Sequence, residues 1–217
     1  MILTPLDAET FAHILDVFDK GLAQYLMARA VFRRIAATRQ YCPGFTADLN
    51  AGRQKAIALA HRLGIPVIDE DPAVAFSWDG HAIRTRSETS VVFHEIAHWQ
   101  IAPPARRALY DFGVGAGPET GRIDQANAAA CVDAATKEEE ENLSSLLGIL
   151  WETAHDEPAV LAFAEQNWLE LYDRPHTRAH FAQCLAELHA RGLIDEEGKP
   201  LLKPASLPAY SESARDR

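Results

Sequence analysis

"VVFHEIAHWQIAPPARRALYDFG", residues Val91 to Gly113, sets two histidines and a glutamate in the order His94-Glu95-x-x-His98. Val91, Val92, Phe93 and Ile96 give the stretch the apolar content of a packed helix, with Ser87 expected as its cap. Pro103-Pro104 is expected to end it, because proline cannot continue a helical ladder. Residues four apart on a helix lie one above the other, so His94 and His98 can offer ring nitrogens to one ion. Glu95 is rotated by about 100° from His94, where it can reach a metal-bound water and accept or return its proton.

Two histidines need at least one further protein ligand. The candidates lie in "TKEEEENLSSLLGIL", Thr136 to Leu150. Leu143, Leu146, Leu147 and Leu150 form one apolar stripe, and running it backwards puts Glu139 and Glu140 on its side of the helix, within about 70° of its centre. Glu138 and Glu141 are expected to point away from it. Glu140 is the first candidate for the third ligand and Glu139 the second. His176 and His180 repeat the four-residue spacing in "PHTRAHF" but enclose no glutamate, and are read as ordinary helix-start residues.

Outward from the motif, apolar spacing predicts one long helix from Leu6 to about Thr38, or two meeting near Gly21, with Thr4-Pro5 at its start. "YCPGF" breaks it, and a further helix runs from Ala47 to Leu63, stopped by Gly64. "IPVI" reads as a short strand. "AVAFSWDGHAIRTR" reads as a hairpin turning at Asp79-Gly80, with Val74, Phe76 and Trp78 on one face and His81 and Ile83 returning. After the glycine-rich "GVGAGPETG", helices are predicted from Asp124, over Thr136–Trp151, Pro158–Tyr172 and Thr177–Arg191, and "LIDEEGKPLL" as a small hairpin before a tail. The predicted fold is α+β: one mostly helical domain with a small antiparallel sheet preceding a zincin-like H-E-x-x-H helix. It divides into a helical segment at 1–70, a metal-binding core at 71–195 and a hairpin and tail at 196–217.

The 217 residues suffice for one well-buried domain, and 47% of them are apolar. A formal charge of −10 argues against nucleic acid as a partner, since a phosphate backbone is repelled by that field. No apolar run suggests a membrane span, and the acidic, amphipathic start does not read as a secretory signal. Cys42, Cys131 and Cys184 are odd in number and far apart, which fits reduced thiols. A cytoplasmic location is the expectation.

Beyond the histidine pair, His94-Glu95-Ile96-Ala97-His98-Trp99, then Ile101-Ala102, Arg106-Arg107 and Asp111-Phe112-Gly113 resemble the run carried by the elongation factor P hydroxylase family. The similarity spans about residues 83–158. It implies a metal-dependent hydroxylase with two histidines and a carboxylate on one divalent ion, Fe(II) favoured and Zn(II) the alternative. It also implies a protein substrate, a lysine-derived side chain of a translation factor such as elongation factor P. Aligning "WETAHDEP" with the family places its helix-opening glutamate at Glu140. Where the family has an aromatic, cysteine-containing sequence after D-F-G, this chain has "VGAGPETG".

Asp111 is a candidate partner for the free nitrogen of one histidine. Arg106 and Arg107 are candidates either for a substrate carboxylate or for salt bridges to the acidic helix. His81 is a candidate lining residue of the pocket, and the glycine loop a candidate lid. Two other readings compete with a hydroxylase. One is a zinc hydrolase, most simply a peptidase, with Glu95 activating water. The other is a non-enzymatic module stapled by a structural metal.

Overall fold

The computed structural model describes residues 7–41, 49–71, 78–117 and 122–203. The Thr4-Pro5 start, the outer arm of the hairpin with Val74 and Phe76, part of the glycine loop and the tail beyond 203 lie outside these residues. Eight helices carry the described fold: α1 (Ala8–Gly21), α2 (Leu26–Ala37), α3 (Leu49–Arg62), α4 (Thr89–Ile101), α5 (Ile123–Ala129), α6 (Ala134–Ala154), α7 (Ala159–Glu165) and α8 (Pro175–Ala190). None of the described helices is long and apolar enough to cross a membrane.

The amino-terminal run is two helices, as one of the two expected arrangements had it. Asp7 caps α1, its carboxylate accepting from the backbone N–H groups of Glu9 and Thr10. The motif helix α4 starts after Glu88 rather than being capped by Ser87, and no side chain bonds its first N–H groups. It ends at Ala102 ahead of the two prolines, as predicted.

The sheet differs from expectation. It is a parallel pair, β1 (Val67–Ile68) and β2 (Ile83–Arg84), with Val67 opposite Ile83 and Ile68 opposite Arg84. The Asp79-Gly80 turn does fold back, and Trp78 makes a single antiparallel bridge to Ile83. The Asp79 carboxylate accepts from the backbone N–H groups of His81 and Ala82 and pairs with Arg84 at 2.9 Å. The other edge of Ile83–Arg84 is taken by "IPVI": Ile83 N–H donates to the Pro66 carbonyl at 2.9 Å and Thr85 N–H to that of Ile68 at 3.0 Å. Alternation identifies a strand but says nothing about which segment will reach its free edge.

One apolar core runs through the described chain. Phe18 of α1 and Phe32 of α2 meet Phe163 of α7, and Phe18 and Phe163 meet Phe181 of α8, with ring centroids 4.7–5.9 Å apart. The described amino-terminal helices share one apolar core with the motif region. At its centre α6 packs against α4 and also touches α2, α7 and α8. Gly148 makes the first contact possible: a Cβ there would lie 3.1 Å from the Cα and 3.2 Å from the N of His94. Gly148→Val is expected to force the two helices apart at a cost of about 1–3 kcal/mol, read as a lower urea midpoint.

Glu152, near the end of α6, is buried, and its Oε1 accepts no hydrogen bond among the described residues. Burial, reinforced by Glu157 and Glu165, pushes its carboxyl from 4.5 up to about 8. The folded state thus holds a proton that the unfolded chain releases at lower pH. Its contribution to stability is complete below pH 4.5 and is lost as pH rises to about 8. Glu152→Gln should flatten that decline, at about 1.4 kcal/mol per pH unit, and gain most over wild type near pH 8 in urea titrations.

Candidate metal centre

His94 and His98 occupy adjacent turns of α4, and their Nε2 atoms lie 3.0 Å apart. The third group facing them is Glu141 of α6, whose Oε2 is 3.4 Å from His98 Nε2 and 3.7 Å from His94 Nε2. Among the described residues this is the one set of three metal-ligating side chains whose donor atoms converge. Ligands at ~2.1 Å from one ion stand ~3.0 Å apart at a right angle and ~3.4 Å apart at the tetrahedral angle; the 3.0 and 3.4 Å edges match these, and the 3.7 Å edge is a few tenths of an ångström wider, so the three groups could hold a single divalent cation.

The structure brings Glu141 to the histidines, in place of the expected Glu140 or Glu139. Glu140 turns to Arg106, and both side chains are largely buried. Glu139 pairs with Arg191 of α8's carboxyl end. Glu140 is buried as expected, but the face of α6 that meets the histidines is a different one. The leucine stripe is buried in the common core, but α6 is buried on a second face as well, about 140° away, through which it meets α4. Along that face Glu141, Ser144 and Gly148 follow one another at helical spacing, and each touches the histidine helix. The signal was present in the sequence: two small residues interrupt the leucines in phase with one of the glutamates.

Ser144 is the residue that sequence reasoning missed altogether. Its hydroxyl lies 3.0 Å from His98 Nδ1. With Nδ1–H donating to Ser144, the Nε2 lone pair of His98 is left for an ion, the arrangement usual for histidine ligands. Asp111, the partner expected for this role, adds its charge to the surroundings of His98, while Nδ1 lies against Ser144. His94 Nδ1 is buried and makes no hydrogen bond among the described residues.

Electrostatics bind the three groups together. Burial and the neighbouring His98 lower the pKa of His94. Burial works the same way on His98, but the carboxylate of Glu141, helped by Glu95 and Asp111, outweighs it and raises that pKa. Glu141 is drawn well below the usual carboxylate range, since the two imidazoles overcome the effect of its own burial. The cluster is thus built to hold positive charge, which a proton or a metal ion can supply.

The three side chains are unequally covered: side-chain exposure is 4% for His98, 25% for His94 and 38% for Glu141, so His98 is the enclosed member and Glu141 the half-exposed one. Glu95 is buried beside the pair. The ring of Phe112 stacks on His98 at 5.5 Å and 12°, and Trp78 stacks on Phe112 at 5.0 Å and 7°. Arg107 does not enter the site: its guanidinium lies 3.9 Å over the Trp99 ring and its Nε donates to the Ala102 carbonyl. His81 is exposed at the hairpin turn and is not part of the cluster. His180 stacks on Trp168, away from any third ligand among the described residues.

An ion held by this triad predicts that Glu141→Ala weakens Zn²⁺ or Fe²⁺ binding by more than the roughly 10–100-fold typical of losing an outer partner. Ser144→Ala should fall within that range. Competition titration against a chromophoric chelator measures both. No family model, no curated protein and no solved structure matches this chain.

Proposed function

We propose that the chain is a metal-dependent hydroxylase working through a two-histidine, one-glutamate centre at His94, His98 and Glu141, with Fe(II) as its ion. The observation that carries the proposal is the convergence of those three side chains, with the Phe112 ring stacked on His98 and Glu141 half exposed. Two histidines and one carboxylate on a single face leave coordination positions free for dioxygen and substrate, the donor set of non-haem iron oxygenases. Two of the residues that extend the hydroxylase resemblance beyond H-E-x-x-H lie beside the site: Phe112 covers His98, and Arg106 holds the glutamate next to Glu141. In this reading the motif helix is arranged in zincin-like fashion, with the third ligand delivered from a later helix.

The chain's own groups have distinct tasks. His94 and His98 bind through Nε2, and Ser144 fixes the ring orientation of His98. Glu141 neutralises one charge of the ion. Glu95, buried beside the pair, can hold or return a proton at its carboxylate. Phe112 and Trp78 exclude water from the rear of the site. Bound iron would supply dioxygen activation. The substrate class that follows from the resemblance is a lysine-derived side chain on a protein such as elongation factor P.

A second reading, a zinc hydrolase of peptidase type, is favoured by Glu95, which directly follows His94 as a water-activating base does in such enzymes. Dioxygen uptake separates the two. Protein purified without oxygen, reloaded with Fe²⁺ and supplied with a two-electron reductant and the lysine-bearing substrate is expected to consume dioxygen, and Glu141→Ala and Zn²⁺-loaded protein are expected not to. Uptake equal in the variant would remove the triad from the chemistry. Zn²⁺-dependent amide cleavage lost in Glu95→Gln would establish hydrolysis in its place.

A further inference from the structure

We infer that Arg106 and Glu140 form a clamp that positions the His98 imidazole for the ion, acting through the left-handed turn Asp111-Phe112-Gly113; this rests on the metal-centre reading above. The turn is unusual. Asp111 and Phe112 have φ of 47° and 51°, and Gly113 follows at 72°. Two consecutive side-chain-bearing residues in this region are disfavoured and persist only where their surroundings hold them.

Arg106 is the agent that holds them. Its Nη1 donates to the Phe112 carbonyl at 3.3 Å and its Nη2 to the Glu140 carboxylate. Asp111 N–H donates to the Trp78 carbonyl at 3.3 Å, and Cys131 N–H to the Gly113 carbonyl at 2.9 Å, completing the frame. The geometry leaves the Phe112 ring fully buried between the rings of Trp78 and His98. His98 is thus pinned on one side by Phe112 and at Nδ1 by Ser144.

The same guanidinium therefore connects both supports of the ligand. Through Phe112 it sets the stack on His98. Through Glu140 it ties down the turn of α6 that carries Glu141 and Ser144. Burying such a pair gives little net stability, because desolvating both charges offsets their attraction, and apolar substitutes of similar volume usually fold as well. What apolar substitutes cannot reproduce is the directed bond from one guanidinium to two elements. Arg106 and Glu140 are accordingly positioning residues, and neither is a metal ligand.

The test compares wild type with Arg106→Met/Glu140→Met, Glu140→Gln and Arg106→Lys. Three quantities are measured on each: urea unfolding of the metal-free protein, Zn²⁺ affinity by competition, and the d–d absorption bands of the Co²⁺-loaded protein. The double variant is expected to unfold near the wild-type midpoint yet bind Zn²⁺ about 10–100-fold more weakly, with shifted Co²⁺ bands. Arg106→Lys, which keeps the charge but cannot bridge both elements, should fall between. Glu140→Gln folds without relying on a repacked pair and should weaken binding in the same direction.

Wild-type affinity and wild-type Co²⁺ bands in the folded double variant, or in Glu140→Gln should the double variant not fold, would overturn the clamp and leave the metal centre standing. Wild-type protein that binds neither ion, or a Glu141→Gln variant that binds as wild type does, would remove the metal centre and the clamp with it.

Discussion

The close approach of α4 and α6 at Gly148 is the constraint on which the site depends. With no Cβ at that position, α6 can rest against the backbone of His94. From there the helical repeat brings Ser144 to His98 Nδ1 and Glu141 to both Nε2 atoms. A side chain at 148 would move all three contacts together, because they share one rigid rod. The candidate site is therefore a property of a helix pair, and its precision is inherited from core packing.

The run of four glutamates shows how helical geometry divides like charges. Successive side chains diverge by about 100°, so neighbours in sequence reach different partners. Glu139 goes to Arg191, Glu140 to Arg106 and Glu141 to the histidines, while Glu138 stays exposed. Buried Glu140 meets a guanidinium, which offsets the cost of burying its charge. Among the described residues Glu141 is paired with the two imidazoles, which ties its ionisation to theirs and makes the trio receptive to a cation.

Behind the histidines the fold uses aromatic layers in place of polar groups. Trp78 from the hairpin, Phe112 from the left-handed turn and the His98 ring lie nearly parallel, and the Trp78 indole N–H donates to the Arg107 carbonyl at 2.9 Å. The hairpin that precedes the motif helix thus contributes through Trp78 and not through His81. Its Asp79-Gly80 turn returns the chain so that Ile83 can pair with the strand from Val67. Small as the sheet is, it anchors the aromatic layer against the motif helix.

The sequence by itself determined the features that depend on local periodicity and on residue chemistry. The mostly helical class, the α4 boundary at Pro103-Pro104, the helix stop at Gly64 and the facing of His94 and His98 all follow from spacing within one element. Tertiary structure decided what depends on which surfaces meet. An apolar stripe reveals that α6 is buried but not that it is buried on two faces, so Glu140 was rightly read as inward while the approach of Glu141 to the histidines went unseen. The parallel sheet pairing, the Ser144 bond and the Arg106 bridge likewise join residues from separate segments. Helical phase fixes angles about one axis only, and the identity of the partner across each face is set when the whole core closes.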